Sequence, residues 1–494
     1  MPLILGADIG TTNIKVLACD PDTEQVVAHA SRPLKTEQPQ PGFSEQSPEA
    51  IWQAFGEVMQ EVMQAVRRSE VGKTGGSVQM VAFSSGMHSL MAVDAKGNPL
   101  TNALLWSDNR AEAEANTLRT HQAALGQAIY QQTGIPIHPM IPLCKLAYWR
   151  HHQPDLIKQA ARFISIKEYL WFRLTGQFQI DFSMATATGL FDQEHREWSD
   201  LALSFAGITG EQLSELVPTN HQQPLLAEAA THVGLPAETS LLIGASDGCL
   251  ANLGAGAVAP GVTTLTIGTS GAIRQTVRQP LRDPQGRLFC YHLADGYYVV
   301  GGPTNNGANV LQWLSENLTQ KKAEAVLVEA ATIAAGSDGL LFLPYLQGER
   351  APLWNAAVRG AFHQVDWSHT QAHFARATLE GVLFNLWSIN ELLSRQTEPT
   401  HVIHANGGFA QSEFWVQMLA DIAGVPVRLN ATNESGAIGA ILLALTTTGH
   451  YASLDEASAS VNFGKTYQPN PANHLIYQDA FKRFRAAQRV MAGN

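Results

Sequence analysis

Cysteine is scarce in this chain: four residues in 494, at positions 19, 144, 249 and 290, with no pair spaced as CxxC. That pattern excludes a structural zinc ribbon and fits reduced thiols in a cytoplasmic protein. Charge is sparse too, at 15% of residues, and the balance is acidic, with a net charge of -11. A field of that sign repels phosphate polymers and anionic lipid, so neither nucleic acid nor membrane is an expected partner. A small anion held in a local pocket is still allowed. No charged segment precedes an apolar one at the start, so no signal peptide is expected. The longest uncharged run, 248–273, holds six glycines and Pro260 and reads as strands and turns rather than a membrane helix. No low-complexity linker interrupts the chain. With 45% hydrophobic residues over this length, two large globular domains are expected.

What the chain does have is a repeated turn. Ile-Gly-Thr-Thr at 9–12 returns as Ile-Gly-Thr-Ser at 267–270, each between β-branched runs that predict a strand-turn-strand hairpin. Around these lie predicted helices over 48–68, capped by Ser47, and over 373–395, with Gly381 inside it as a mark of close packing. A third, near 434–445, opens on small residues. Strands and helices alternate, an α/β pattern, and two copies of one hairpin predict two lobes of similar build, 1–242 and 243–494.

A Gly turn flanked by hydroxyls brings backbone N–H groups close to a phosphate with no bulky side chain in the way. Two such turns facing across a cleft can hold the β- and γ-phosphates of a nucleotide from both sides. Lys15 would add a point charge, and Asp8 would sit beside Mg²⁺. The second copy needs no further metal-side carboxylate, so Thr266 is tolerated there. Other signals compete. VGKTGG at 71–76 lacks the first glycine of a phosphate-binding P-loop, since Arg67 stands there, and GAGAVAPG at 254–261 lacks the third dinucleotide-binding glycine, having Ala259. GASDG at 244–248 matches a nucleophile elbow and keeps open a serine hydrolase built on Ser246.

ADIGTTNIK, TIGTSG, ANGGFAQSEFWVQMLAD, HFARATLEG and MIPLCKLAYW together resemble the FGGY family of carbohydrate kinases, nearly end to end. Two positions depart: Tyr148 where a signature has Trp, and Gln364 where it has Gly. The resemblance implies a two-lobed, actin-like (ribonuclease H-like) ATPase fold with ATP and sugar in the interlobe cleft. It also implies phosphoryl transfer from MgATP to a sugar hydroxyl, with Asp247 as the base and as a second metal-side carboxylate. Thr11, Thr12, Asn13, Lys15, Gly268, Thr269, Gly307, Gly407, Gly408 and Ser412 fall on nucleotide positions. Met87 and His88, with Trp106, Asp108 and Arg110 of WSDNR, fall on the sugar side; Asp181 is a weaker candidate there. TGIPIHPMIPLCKL and DFSMATATGLFD are more similar to the family's gluconate kinases than to its xylulose or glycerol kinases. A sugar acid would be matched by a cationic set of His88, Arg110, His138 and Lys145. D-Gluconate is the expected substrate and D-xylulose the runner-up; a homodimer is compatible with the sequence.

Overall fold

The computed structural model describes residues 2–432 and 434–491. Its first sheet contains β1 (Pro2–Ile9), β2 (Asn13–Asp20), β3 (Gln25–Pro33), β4 (Ser77–Ser85), β5 (Gln222–Pro224) and β6 (Ser240–Ser246), in the order β5-β6-β4-β1-β2-β3. Its second contains β7 (Val262–Ile267), β8 (Gly271–Val277), β9 (Phe289–Ala294), β10 (Tyr297–Thr304), β11 (Val402–Asn406), β12 (Val427–Asn430) and β13 (Phe463–Tyr467), in the order β9-β10-β8-β7-β11-β12-β13.

The two sheets share one plan. β1 is antiparallel to β2, which is antiparallel to β3, while β1, β4 and β6 run parallel. Likewise β7 is antiparallel to β8 and β8 to β10, while β7, β11 and β12 run parallel. Each repeated turn therefore caps the central hairpin of its own sheet. β6 belongs to the first sheet through Ser246, so a cut between 242 and 243 falls inside a strand.

One face of the first sheet is covered by α1 (Pro48–Arg68), whose Ser47 accepts a capping bond from Ala50 N–H and whose Ile51, Phe55, Val58, Met59, Val62 and Val66 are all buried. Between the sheets lie α2 (Asp247–Gly254) and, later in the chain, α4 (Ser435–Thr447); the long α3 (Gln371–Leu393) backs the second sheet. α2 and α4 touch backbone to backbone. A Cβ on Gly439 would fall 1.9 Å from Leu250 O, and one on Gly254 would fall 2.0 Å from Ser435 O. Gly381 presses α3 onto Phe342 O in the same way, its absent Cβ 2.3 Å away. Among the described residues no helix is long and apolar enough to cross a membrane.

Candidate active site

The two hairpin turns open onto one cavity of about 350 Å³. Gly10 N–H donates to Asn13 O at 3.0 Å in the first, and Gly268 N–H donates to Ser270 O at 2.9 Å in the second. Thr12 and Thr269 are exposed, and with Gly268 they line the cavity. Thr11 and Asn13 flank Thr12, and Thr11 Oγ1 accepts a bond from Trp106 Nε1 at 3.4 Å. Gly307 packs under the second turn: a Cβ there would lie 2.5 Å from Ser270 O and 2.6 Å from Gly268 O. Gly407, at φ +96, presses on Ile267 O from the other side. Gly408 faces open space, and Ser412 caps the helix Glu413–Ala423 by accepting from Trp415 N–H. Lys15 is paired across the ladder with Asp8, but its ammonium is ion-paired to Glu434 at 2.9 Å.

Two carboxylates stand at the lobe junction. Asp247 is the first residue of α2, with Ser246 in the cap position, and its Oδ1 accepts from Gly248 N–H at 2.7 Å. It lines the cavity, half-buried. Burial, then the neighbouring Asp8 charge, push its carboxyl up to about 7, with Arg274 pulling the other way. A group so poised can take a proton near neutral pH. Asp8 accepts from Ser84 Oγ at 2.7 Å and is also raised, chiefly by burial. α4 approaches it through Gly436, whose Cβ would fall 2.8 Å from Asp8 Oδ2. Among the described residues no cluster of three or more His, Cys, Asp or Glu could cage a metal by itself.

On the sugar side Met87, His88 and Trp106 line the cavity. His88 adopts φ +66; its Nδ1 lies 2.7 Å from Ala187 O and its Nε2 3.2 Å from Tyr291 Oη. The carbonyl fixes the hydrogen on Nδ1, so Nε2 accepts from the tyrosine. Burial, with Lys145 nearby, depresses His88 to about 3, so the ring is neutral. His138 is likewise held well below its ordinary value, by burial and then by Arg350. Lys145 is fully buried, donates to His88 O and Leu105 O at 2.7 Å each, and falls to about 7 through burial. Asp108 and Arg110 do not line the cavity. Asp108 accepts from Ser44 N–H and from Arg110 Nε and Nη2, and Arg110 also pairs with Glu45 at 2.5 Å. The cationic set expected from sequence is thus neutralised by burial or already partnered. The guanidinia that do face the cavity, those of Arg274 and Arg350, carried no motif. The signal that could have found Arg274 was alternation: Ala272 and Arg274 share one face of β8, just past the turn.

Ser246 and Asp181 have structural partners. Ser246 is fully buried and its Oγ accepts from Ser183 Oγ at 2.9 Å; among the described residues no histidine hydrogen-bonds to it. Asp181 caps a short helix through Met184 N–H and pairs with Lys167 at 2.7 Å.

Comparison with known proteins agrees with this geometry. Residues 3–254 match the N-terminal domain, and 263–448 the C-terminal domain, of the FGGY family of carbohydrate kinases. The gluconokinase of Bacillus subtilis is 40% identical over 99% of this chain and 94% of its own length. A xylulose kinase of Staphylococcus epidermidis is 30% identical over 98% and 96%. Two solved structures from Lactobacillus acidophilus, a ligand-bound xylulose kinase and a gluconate kinase, each superpose with a TM-score of 0.94 at 34% identity. The first covers 100% of this chain and 99% of its own, the second 99% and 98%. The two matches span all but residues 1–2, 255–262 and 449–494: the chain belongs to the FGGY family of carbohydrate kinases and is an ATP-dependent sugar kinase of actin-like fold.

Proposed function

We propose that this kinase phosphorylates D-gluconate at its 6-hydroxyl. The observation that carries the substrate is the 40% full-length identity to a gluconokinase, against 30% for the xylulose kinase. Fold similarity does not choose between them, since both superpose equally.

In this reading Asp247 takes the proton of the 6-hydroxyl as its oxygen attacks the γ-phosphorus. The bond to the β,γ-bridging oxygen breaks, and ADP leaves with 6-phosphogluconate as the other product. Such transfer depends on positioning and charge neutralisation. Thr11, Thr12 and Asn13 on one side, and Gly268 and Thr269 on the other, hold the phosphates, with Lys15 available once it parts from Glu434. Gly307, Gly407, Gly408 and Ser412 shape the nucleoside side. Met87, His88 and Trp106 hold the sugar, while Asp108 and Arg110 fix the loop that carries Trp106. Asp8 and Asp247, raised carboxylates with too few protein ligands around them for a complete cage, fit a cation that keeps phosphate and water ligands. Mg²⁺ held there supplies neutralisation of the transferring phosphate.

ADP release measured with gluconate, xylulose, ribulose, glycerol and fuculose tests the substrate. A kcat/KM for gluconate exceeding the others by about 100-fold is expected. A preference for a neutral sugar overturns the gluconate reading and leaves the kinase intact.

A further inference from the structure

Two guanidinia enter the sugar cavity, and among the described residues neither makes an ion pair with a carboxylate, although Asp247 attracts Arg274 at longer range. Arg274 sits on β8, opposite Thr264 and Gly301 on the flanking strands. Among the described residues its guanidinium makes no hydrogen bond or ion pair, and its Nε is buried without a partner. Arg350 donates from Nη2 to Thr304 O at 2.9 Å and lies 5.1 Å over the Trp106 ring, yet its Nε is also buried and unpartnered. The adjacent Glu349 does not neutralise it by side-chain contact. That carboxylate is taken up by Thr304, Asn305, Asn306 and Asn385, and by Arg350's own backbone N–H. A buried cation lacking an anion is costly, and a second one beside it adds repulsion. Burial lowers both groups, Arg350 to about 10, against the opposing pull of Asp247 on Arg274 and of Glu349 on Arg350.

Position separates the sugar from the phosphates as the missing anion. A Cβ on Gly248 would lie 3.7 Å from both Nε and Nη2 of Arg274 and 2.9 Å from Met87 Cε. The guanidinium is therefore on the Met87 side of Asp247, set back along β8 from the turn that holds Thr269. The other cations near the cavity, Lys145 and the two histidines, are excluded by their partners or their neutrality.

We propose that Arg274, with Arg350 beside it, binds the carboxylate of a sugar-acid substrate and so sets the preference for an aldonate over a neutral sugar. This rests on the gluconate reading. The planar fork of a guanidinium matches a carboxylate through paired charge-assisted bonds, and a neutral hydroxymethyl group leaves it unpaired.

The test compares D-gluconate with D-gluconamide, its neutral isostere, in wild type, Arg274→Gln, Arg274→Lys and Arg350→Gln, with KM for ATP measured in each. Wild type is expected to prefer gluconate by about 100-fold in kcat/KM. R274Q should lose most of that ratio through the KM for gluconate, with KM for ATP changed by less than about threefold. R274K and R350Q should fall between, and they carry the test if R274Q does not fold. If R274Q uses gluconate with an unaltered gluconate-to-gluconamide ratio, or if its chief defect is a raised KM for ATP, the assignment of Arg274 is overturned while the gluconate reading stands. A wild-type enzyme that ignores gluconate and phosphorylates a neutral ketose overturns both.

Discussion

Replacing Asp247 by Asn separates the stability cost of the carboxylate from its chemistry. The folded protein holds this carboxyl at about 7 against an ordinary 3.8, chiefly through burial and then through Asp8. The unfolded chain ionises it near 3.8, so between that value and about 7 the unfolded form has lost a proton that the folded form keeps. Wild-type stability therefore falls as pH rises through this window and levels off above it. At about 1.4 kcal/mol per pH unit the whole window is worth up to ~4 kcal/mol, and water in the open cleft reduces this to roughly 2–3 kcal/mol. Asparagine does not titrate. The D247N protein, free of nucleotide and metal, should thus gain on wild type between pH 5 and pH 8 by roughly 2 kcal/mol, read from urea unfolding at several pH values. Its kcat should drop by about three orders of magnitude or more, with KM for ATP little changed. Wild-type kcat/KM for the sugar should fall about tenfold per unit below pH 7, since the working base is the ionised form. A D247N protein weaker than wild type by one constant amount at every pH would show a well-satisfied helix-terminal carboxylate and refute the reasoning.

Three further outcomes are expected. Gly307→Ala should raise KM for ATP by roughly tenfold or more, because the new methyl meets two rigid carbonyls of the second turn; an unchanged KM would show that this turn does not grip nucleotide. Asp108→Ala should cost ~3 kcal/mol in chemical denaturation, by stripping Arg110 of a buried partner, and should leave the ranking of sugars as it was. Gln364 sits at φ +60, where the family signature has glycine, so Gln364→Gly should stabilise by ~0.5–1 kcal/mol; a loss would mean that its 3.3 Å bond from Arg483 outweighs the backbone strain.

The hairpins were legible because a Gly-Thr turn between β-branched residues is a local signal, and so was α1, whose apolar face follows from spacing alone. The end of the first sheet was not. β6 runs through Gly244 and passes at Ser246 directly into α2 at Asp247, so a cut placed before the glycines of GASDG falls inside the strand. Charge was the harder case. A sequence counts cations but does not show their partners: the carbonyls that hold the Lys145 ammonium come from residues 57 and 40 positions away. Arg110 looked available beside Asp108, yet that carboxylate is what consumes it. Arg274 belongs to no motif, and alternation past the turn gives only its face of β8; its significance is that, among the described residues, its guanidinium has no direct partner in three dimensions.

The difference between the two copies follows from the same electrostatics. Asp8 and Thr266 lie on the central strands β1 and β7 at matching places, each two residues before the glycine of its turn. Burial and then Asp8 already lift Asp247 to about 7, with Arg274 opposing them. Thr266 lines the same cavity as Asp247, so a carboxylate there would add a second like charge to the base. It would push the ionisation of Asp247 above neutral pH and leave the base protonated when sugar binds. A hydroxyl at that place still offers a hydrogen bond without the charge. One duplicated turn thus serves phosphate on both sides of the cleft, while the carboxylate, useful once beside the base, would disable that base if it were present twice.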